Sequence, residues 1–473
     1  MTFKNPILLL FVALLLALFN PFTACKKDKL LTQGGDLSFS TDTLKFDTVF
    51  TTMGSVTRSF KIYNTNNKRI KFDEIKLEVG DTSFFRLNVD GEPTKNIKDV
   101  ELAPNDSLYI FVALTINPTN GNIPFLIEDK VLIRLNGTVR EVALQAYGQD
   151  AHYINDSLLT SQTWINDKPY VILGNIGALV DSGEVLTIQK GCRIYVHATS
   201  KLYVDGSLRI FGTKEDSVMF QGDRLDRDYF GYKDYPGEWG GIHFLGNSLQ
   251  SNLNYTIIKN AGLYDAAVYV QPHKTPTAVN ILDLNHCTIA NSAGYGLLCF
   301  NSNVKATNCL IHTCGLQNVA FLEGGNYNFQ FCTIATFGGL GINHAQQPTA
   351  AVLNYRDVSL TEFVGADLNA TFKNCIIYGP LDDELFLNQK GTWAYNVTLD
   401  HCTLKRNSAI TNASAPNCLI NADPQFVDIS KWDYHLKSTS MSKGAGIEIP
   451  GVIQDLDGLI RGNPPTIGCY EVF

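Results

Sequence analysis

Between residues 286 and 420 the chain repeats one short signature six times. It reads His286-Cys287-Thr288-Ile289, Asn308-Cys309-Leu310-Ile311, Phe331-Cys332-Thr333-Ile334, Asn374-Cys375-Ile376-Ile377, His401-Cys402-Thr403-Leu404 and Asn417-Cys418-Leu419-Ile420. Asn254-Tyr255-Thr256-Ile257 is a seventh copy, with Tyr255 in the place of the cysteine. From Cys to Cys the steps are 22, 23, 43, 27 and 16 residues, and 43 is close to two steps of about 22. A second strand type recurs at Ala267–Val270, Leu297–Phe300 and Val319–Leu322, 30 and then 22 residues apart. Short strands at such a period predict a stacked β-solenoid, because one coil cannot bury its apolar face alone. The cysteine and the aliphatic residue two places on share a face. Stacked at the ~4.8 Å strand spacing, they form an inward ladder.

The cysteines therefore read as core residues. Ten follow Cys25, an even number that invites disulfides in an exported chain. Bonded pairs would need disulfide geometry at every rung, whereas a free Cys is a small hydrophobe suited to the column. Mostly free, buried thiols are expected. The 473 residues are 45% hydrophobic and 18% charged, the balance of a folded chain. The net charge of −8 lacks the basic character that nucleic acid would demand, so no nucleic-acid partner is expected.

The first residues read as an address. Lys4 precedes an apolar run at residues 6–19, too short to span a membrane comfortably and suited to a signal peptide. Phe22-Thr23-Ala24-Cys25 resembles the lipobox of bacterial lipoproteins, with Phe22 where Leu is usual. That resemblance implies cleavage after residue 24 and lipidation of Cys25, hence a membrane anchor in the cell envelope. Lys26, Lys27 and Lys29 would favour an anionic headgroup layer, and residues 25–35 form a lipidated tether. An outer-membrane location follows from the resemblance, with the periplasmic and surface faces both open.

Residues 36–148 contain no Cys and no Trp. Alternating runs such as Thr57–Tyr63, Ser107–Ile116 and Val139–Ala146 are separated by turn residues. Roughly seven strands at this ~10–12-residue spacing predict a β-sandwich. Ser59–Asn64 and Leu102–Val112 resemble the immunoglobulin-like domains of the abnormal-spindle and hydin type. In bacterial surface proteins that resemblance implies a spacer or binding module.

From about residue 149 to 473 the texture is that of the solenoid. Leu186–Arg224 followed by Pro236–Phe244 resembles the right-handed parallel β-helix proteins of the pectate-lyase-like superfamily, especially lipoproteins of Bacteroidota. Asp455–Arg461 and Pro465–Glu471 resemble a closing segment found in that group. The fold class expected is all-β: an immunoglobulin-like sandwich, then a right-handed parallel β-helix of about 12 coils at ~22 residues each. The resemblance implies fold more than activity, since its members include lyases, hydrolases and proteins without a known reaction.

Catalytic candidates are sparse. The resemblance to polygalacturonase-like hydrolases would call for a Gly-His-Gly, which is missing, and the single Arg-Ile-Lys, Arg69–Lys71, lies in the sandwich. Asp382, Asp383 and Glu384 form an acidic triplet that could supply carboxylates or calcium ligands, or be a solvated turn. Lyases of this fold use a Lys or Arg base, often with calcium. The segment 223–239 carries Arg224, Arg227 and Lys233 among acids, with Phe230, Tyr232, Tyr235 and Trp239 as sugar-stacking candidates. Cys309-Leu310-Ile311-His312-Thr313-Cys314 has metal-like spacing, but on a strand Cys309 points inward and His312 outward, so no metal is expected.

Three functions fit this pattern. The first is a membrane-anchored surface protein presenting a β-helix face to polysaccharide, with no cofactor. The second is a lyase or glycoside hydrolase for an acidic polysaccharide, with calcium as the conceivable cofactor. The third is an adhesion or assembly factor with a protein partner. Nothing in the pattern sets an oligomeric state.

Overall fold

The computed structural model describes residues 29–119, 121, 124–225, 234–275 and 278–473. The chain divides into two compact units. One runs to Asn117 and resumes over Phe125–Gly148; the other comprises Pro118–Pro124 and Gln149–Phe473.

The first unit holds two five-stranded sheets. One orders the strands Leu37–Phe39, Arg58–Asn64, Ser107–Leu114, Phe85–Val89 and Glu92–Thr94; the other orders Thr43–Phe50, Thr138–Gln149, Phe125–Leu135, Glu74–Leu77 and Asn96–Ile97. Period-two alternation sets the inward faces. In Ser107–Leu114, Leu108, Ile110, Val112 and Leu114 are buried, while Tyr109 and Phe111 point out and stack at 5.8 Å. Pairs such as Leu108 opposite Ile62 and Val131 opposite Val142 hold antiparallel registers around one apolar core.

The second unit is a parallel β-helix with three faces. Its first face carries the cysteines. In register, the strand pairings stack Cys192, Val218, Thr256, Cys287, Cys309, Cys332, Cys375, Cys402 and Cys418 into one column. Two residues on, Ile194, Phe220, Ile258, Ile289, Ile311, Ile334, Ile377 and Leu404 form the companion column in the same core. All ten cysteines among the described residues are free, and only Cys418, at the last rung, is not fully buried. Burial pushes the Cys192 thiol up to about 11, and Cys287, Cys309 and Cys332 well above the usual range. Thiols in that state are packing groups rather than nucleophiles.

One register differs from the sequence expectation. Ile257 pairs with Thr288, so Thr256 takes the cysteine position and Tyr255 aligns with His286. Tyr255, His286, Asn308, Phe331, Asn374, His401 and Asn417 all have φ between 42° and 57°. They are the corner before the first face, in the left-handed region that Asn tolerates and an aromatic residue enters under strain. Stacking offsets that strain: the Tyr255 and His286 rings lie 4.5 Å apart.

The second face runs through Lys201–Val204, Ile242–Phe244, Ala266–Val270 and the strands that continue from them. Here too the register differs by one, because Val268 and not Ala267 pairs with Leu297. Its outward column is Leu158, Leu179, Tyr203, His243, Tyr269, Leu298, Ala320, Ala351 and Phe386, one residue per coil. That gives nine coils among the described residues, where the sequence predicts about twelve. The remaining residues go into insertions at 223–241, 271–281, 336–349 and 354–367, and into everything after Ile420. The third face carries an amide ladder outside: Asn326, Asn369 and Asn396 each donate to the asparagine one coil before, Asn303, Asn326 and Asn369, at 2.8, 2.9 and 2.9 Å.

The last fifty residues form a strap over the outside of the first face. Phe426, Tyr434, Leu436, Leu456, Ile467 and Cys469 pack on Leu310, Ala335 and Ile376. Arg461 pins it to the corner column. Its guanidinium lies 3.8 Å from the Phe331 ring centroid, donates to Asn308 Oδ1 at 2.6 Å, and pairs with Glu471 at 3.5 Å. Gly468, at φ 102°, passes so close that a Cβ would meet Ile376 Cδ1 at 2.7 Å. His312 does point away from the coil, but into this sealed layer, with ring centroids 5.0 Å from Tyr434 and 5.5 Å from Trp432. Burial pushes its imidazole down to about 3.

Candidate functional site

The strap covers the later coils of the first face and amides line the third, and among the described residues aromatic side chains point outward in series on the second face. Alternation along Ala266–Val270 places Val268 and Val270 in the core and Tyr269 outside. Stacking then aligns Tyr203, His243 and Tyr269 on successive coils. The His243 ring lies parallel to Tyr269 at 4.9 Å and meets Tyr203 edge-on at 5.5 Å. Tyr269 continues to Phe300 at 5.5 Å, over which sits the Arg356 guanidinium at 5.7 Å. His243 is buried between its neighbours, and the half-buried Tyr203, Tyr269 and Phe300 present partly wet ring edges along the coils.

Charged groups bracket the row. At one end Asp265 accepts from Lys201 Nζ at 3.0 Å and from the Ala266 backbone N–H at 2.7 Å, and pairs with His243 Nε2 at 3.2 Å. Burial alone would raise the Asp265 carboxyl; the His243 and Lys201 contacts outweigh it and hold the group down at about 2. At the other end Arg356 Nε pairs with Glu323. Two insertions enter this face, 223–241 and 336–349, and two leave it, 271–281 and 354–367, the latter with Tyr355–Asp357 and Phe363–Gly365 paired as a hairpin.

The residues singled out by sequence fall differently. Cys25, Lys26, Lys27, Arg227, Phe230, Tyr232 and Lys233 lie outside the described residues. Arg224 and Tyr235 stand at the two ends of the insertion that enters the second face, and Tyr235 is exposed. Trp239 is not a stacking platform. It is fully buried, its ring stacks on Phe220 at 6.4 Å, and its indole N–H donates to Lys259 O at 2.9 Å.

Nor is the acidic triplet one site. Asp382 and Asp383 cap the Asn407–Ser408 turn; Asp383 accepts from Ser408 N at 2.8 Å and Ser408 Oγ at 2.6 Å. Glu384, neither solvated nor available to a ligand, is fully buried. It accepts from Thr349 N and Oγ1 at 2.9 and 2.6 Å and Leu381 N at 2.8 Å, and pairs with His344 at 2.9 Å. Burial pushes its carboxyl up, and these contacts bring it below the usual range. Its work is to fasten the 336–349 insertion to the next coil. Among the described residues no three His, Cys, Asp or Glu side chains converge to hold a metal.

Sequence reasoning missed Lys201, Asp265, Tyr269 and Phe300. The recurring second-face strands were visible, and following their outward positions coil by coil would have found the aromatic row.

Residues 240–423 match the family described as a right-handed β-helix region. The match covers the coils from Ile242 to residue 423, and the fold is a right-handed parallel β-helix that follows an antiparallel sandwich in sequence. No curated protein matches the chain. Among solved structures, a protein of unknown function from Porphyromonas gingivalis W83 is similar at 12% identity, over 27% of this chain and 61% of that one, with a TM-score of 0.19. A family 123 glycoside hydrolase from Clostridium perfringens is similar at 6% identity, over 26% and 30% of the two chains, with a TM-score of 0.18. The chain thus covers less than two thirds of either.

Proposed function

We propose that this chain is an envelope-anchored polysaccharide-binding protein that holds its ligand on the second face of the β-helix. In this reading Cys25 is the lipidated anchor at the outer membrane, and the sandwich of residues 36–148 is an immunoglobulin-like spacer. The observation that carries the proposal is the outward row Tyr203, His243, Tyr269 and Phe300, one aromatic ring per coil, bracketed by Lys201–Asp265 and Arg356–Glu323. Rings stacked at the coil spacing suit an extended chain of sugar rings, with charged and amide groups at the edges for hydroxyls.

Binding rather than turnover is proposed because Glu384, Asp383 and Asp265 are already engaged. Glu384 is sealed, Asp383 caps a turn, and Asp265 is held by Lys201. No cofactor is needed for such a role.

Incubating the purified chain with acidic and neutral polysaccharides, with and without calcium, tests this. Retarded migration through a polysaccharide-loaded gel, lost in Tyr269→Ala, is expected. Unsaturated uronate absorbance or new reducing ends would replace binding with lyase or hydrolase chemistry. A chain that ignores every polysaccharide would overturn the proposal.

A further inference from the structure

Beyond Leu298 the outward column of the second face changes character. The next two rungs are Ala320 and Ala351, and the third is Phe386. At ~4.8 Å per coil, the two small residues leave a gap of about 14 Å between Leu298 and the Phe386 ring. A cavity of about 390 Å³ occupies it, the size of a small-ligand site.

The lining has one consistent chemistry. Ala320 and Ala351 form the floor with Leu322, and the half-exposed Phe386 ring stands at one end. Gln317, Gln346 and Gln347 form the rim, and Gln317 Nε2 donates to Gln347 Oε1 at 2.8 Å. That bond fixes two amides in mutual orientation and leaves the Gln317 oxygen and the Gln347 amide N–H groups for a ligand. Among the described residues the only ionisable side chain in the lining is Tyr295, whose phenol burial pushes up.

We propose that this cavity is a subsite for an uncharged sugar residue, so that the ligand of the second face is a neutral polysaccharide. The inference rests on the polysaccharide-binding reading and narrows it. An apolar floor and an aromatic end wall fit the C–H face of a pyranose ring, and an amide rim fits its hydroxyls. A uronate here would bring its carboxylate into a partly desolvated site with no cation to receive it, which is unfavourable. The charged brackets of this face lie elsewhere, at Lys201–Asp265 and Arg356–Glu323.

Titration calorimetry of the full chain decides it, using gluco-, manno- and galacto-oligosaccharides beside oligogalacturonates of equal length. A neutral series is expected to bind. Phe386→Ala, which removes the end wall, and Ala351→Leu, which fills the floor, should each weaken it roughly tenfold. Both are outward positions, and unchanged melting temperatures would show that the coils are intact. Binding of oligogalacturonates alone would overturn this inference and leave the broader reading standing. Neutral binding untouched by both substitutions would also overturn it. If neither series binds, both readings fail.

Discussion

The first and second faces of the β-helix are built from the same kind of strand, yet only one is sealed. Outward from the first face stand Leu310, His312, Ala335 and Ile376, and the C-terminal strap closes over them. Outward from the second, His243 and Leu298 are buried by their neighbours, while Tyr203 and Tyr269 stay half-buried, and no strap of that kind packs on them among the described residues. The two histidines register the contrast. Burial under Trp432 and Tyr434 pushes His312 down to about 3, whereas His243 keeps a carboxylate partner in Asp265. An apolar outer face completed from within the chain is structure; one left uncompleted and lined with rings is available for a ligand.

Breaking the seal should have the largest effect. Arg461→Ala leaves Glu471 buried without its cation and removes the contact on Phe331, and should destabilise by about 3–5 kcal/mol in denaturant titrations. Trypsin should then release the strap while the second face is unchanged. Cys332→Ser buries a hydroxyl in the shared core of both faces and should lose about 1–3 kcal/mol. Cys418→Ser, at the partly exposed last rung, should lose less.

A pH series sharpens the contrast from the open side. Asp265 is depressed from 3.8 to about 2. A depressed carboxyl stabilises above its unfolded value, and that stability disappears as pH falls from about 4 to about 2. Discounted for partial exposure, it amounts to roughly 1–2 kcal/mol. Melting curves of Asp265→Asn should run below the parent at neutral pH and converge with it toward pH 2. The smallest stability effect belongs to Tyr269→Ala, under about 1 kcal/mol, because the ring is part of an outer surface. Calorimetric unfolding should see little, although polysaccharide binding should drop.

How much of this was legible follows from the kind of signal each part leaves. The cysteine ladder was legible because stacking favours a small residue at each rung, and seven of the nine rungs carry Cys, with Val218 and Thr256 in the other two. The corner register was not: in this chain the left-handed corner holds Asn, His, Phe and, against its preference, Tyr, so Tyr255 resembled a ladder residue. The aromatic row was obscured because Ala266–Val270 is apolar on both sides, and no polar alternation marked which side faced out. Trp239 and Glu384 misled because a Trp near charged residues and an acid in a triplet look exposed until the fold packs them. The closing segment was visible by resemblance, but the bond from Arg461 to Asn308 spans 153 residues, beyond any local pattern.

The most direct test is hydroxyl-radical footprinting of the chain with and without a bound polysaccharide. The account predicts protection at Tyr203, Tyr269, Phe300 and Phe386, with the strap and the asparagine ladder unchanged. Protection centred on the strap, the third face or the sandwich would contradict it.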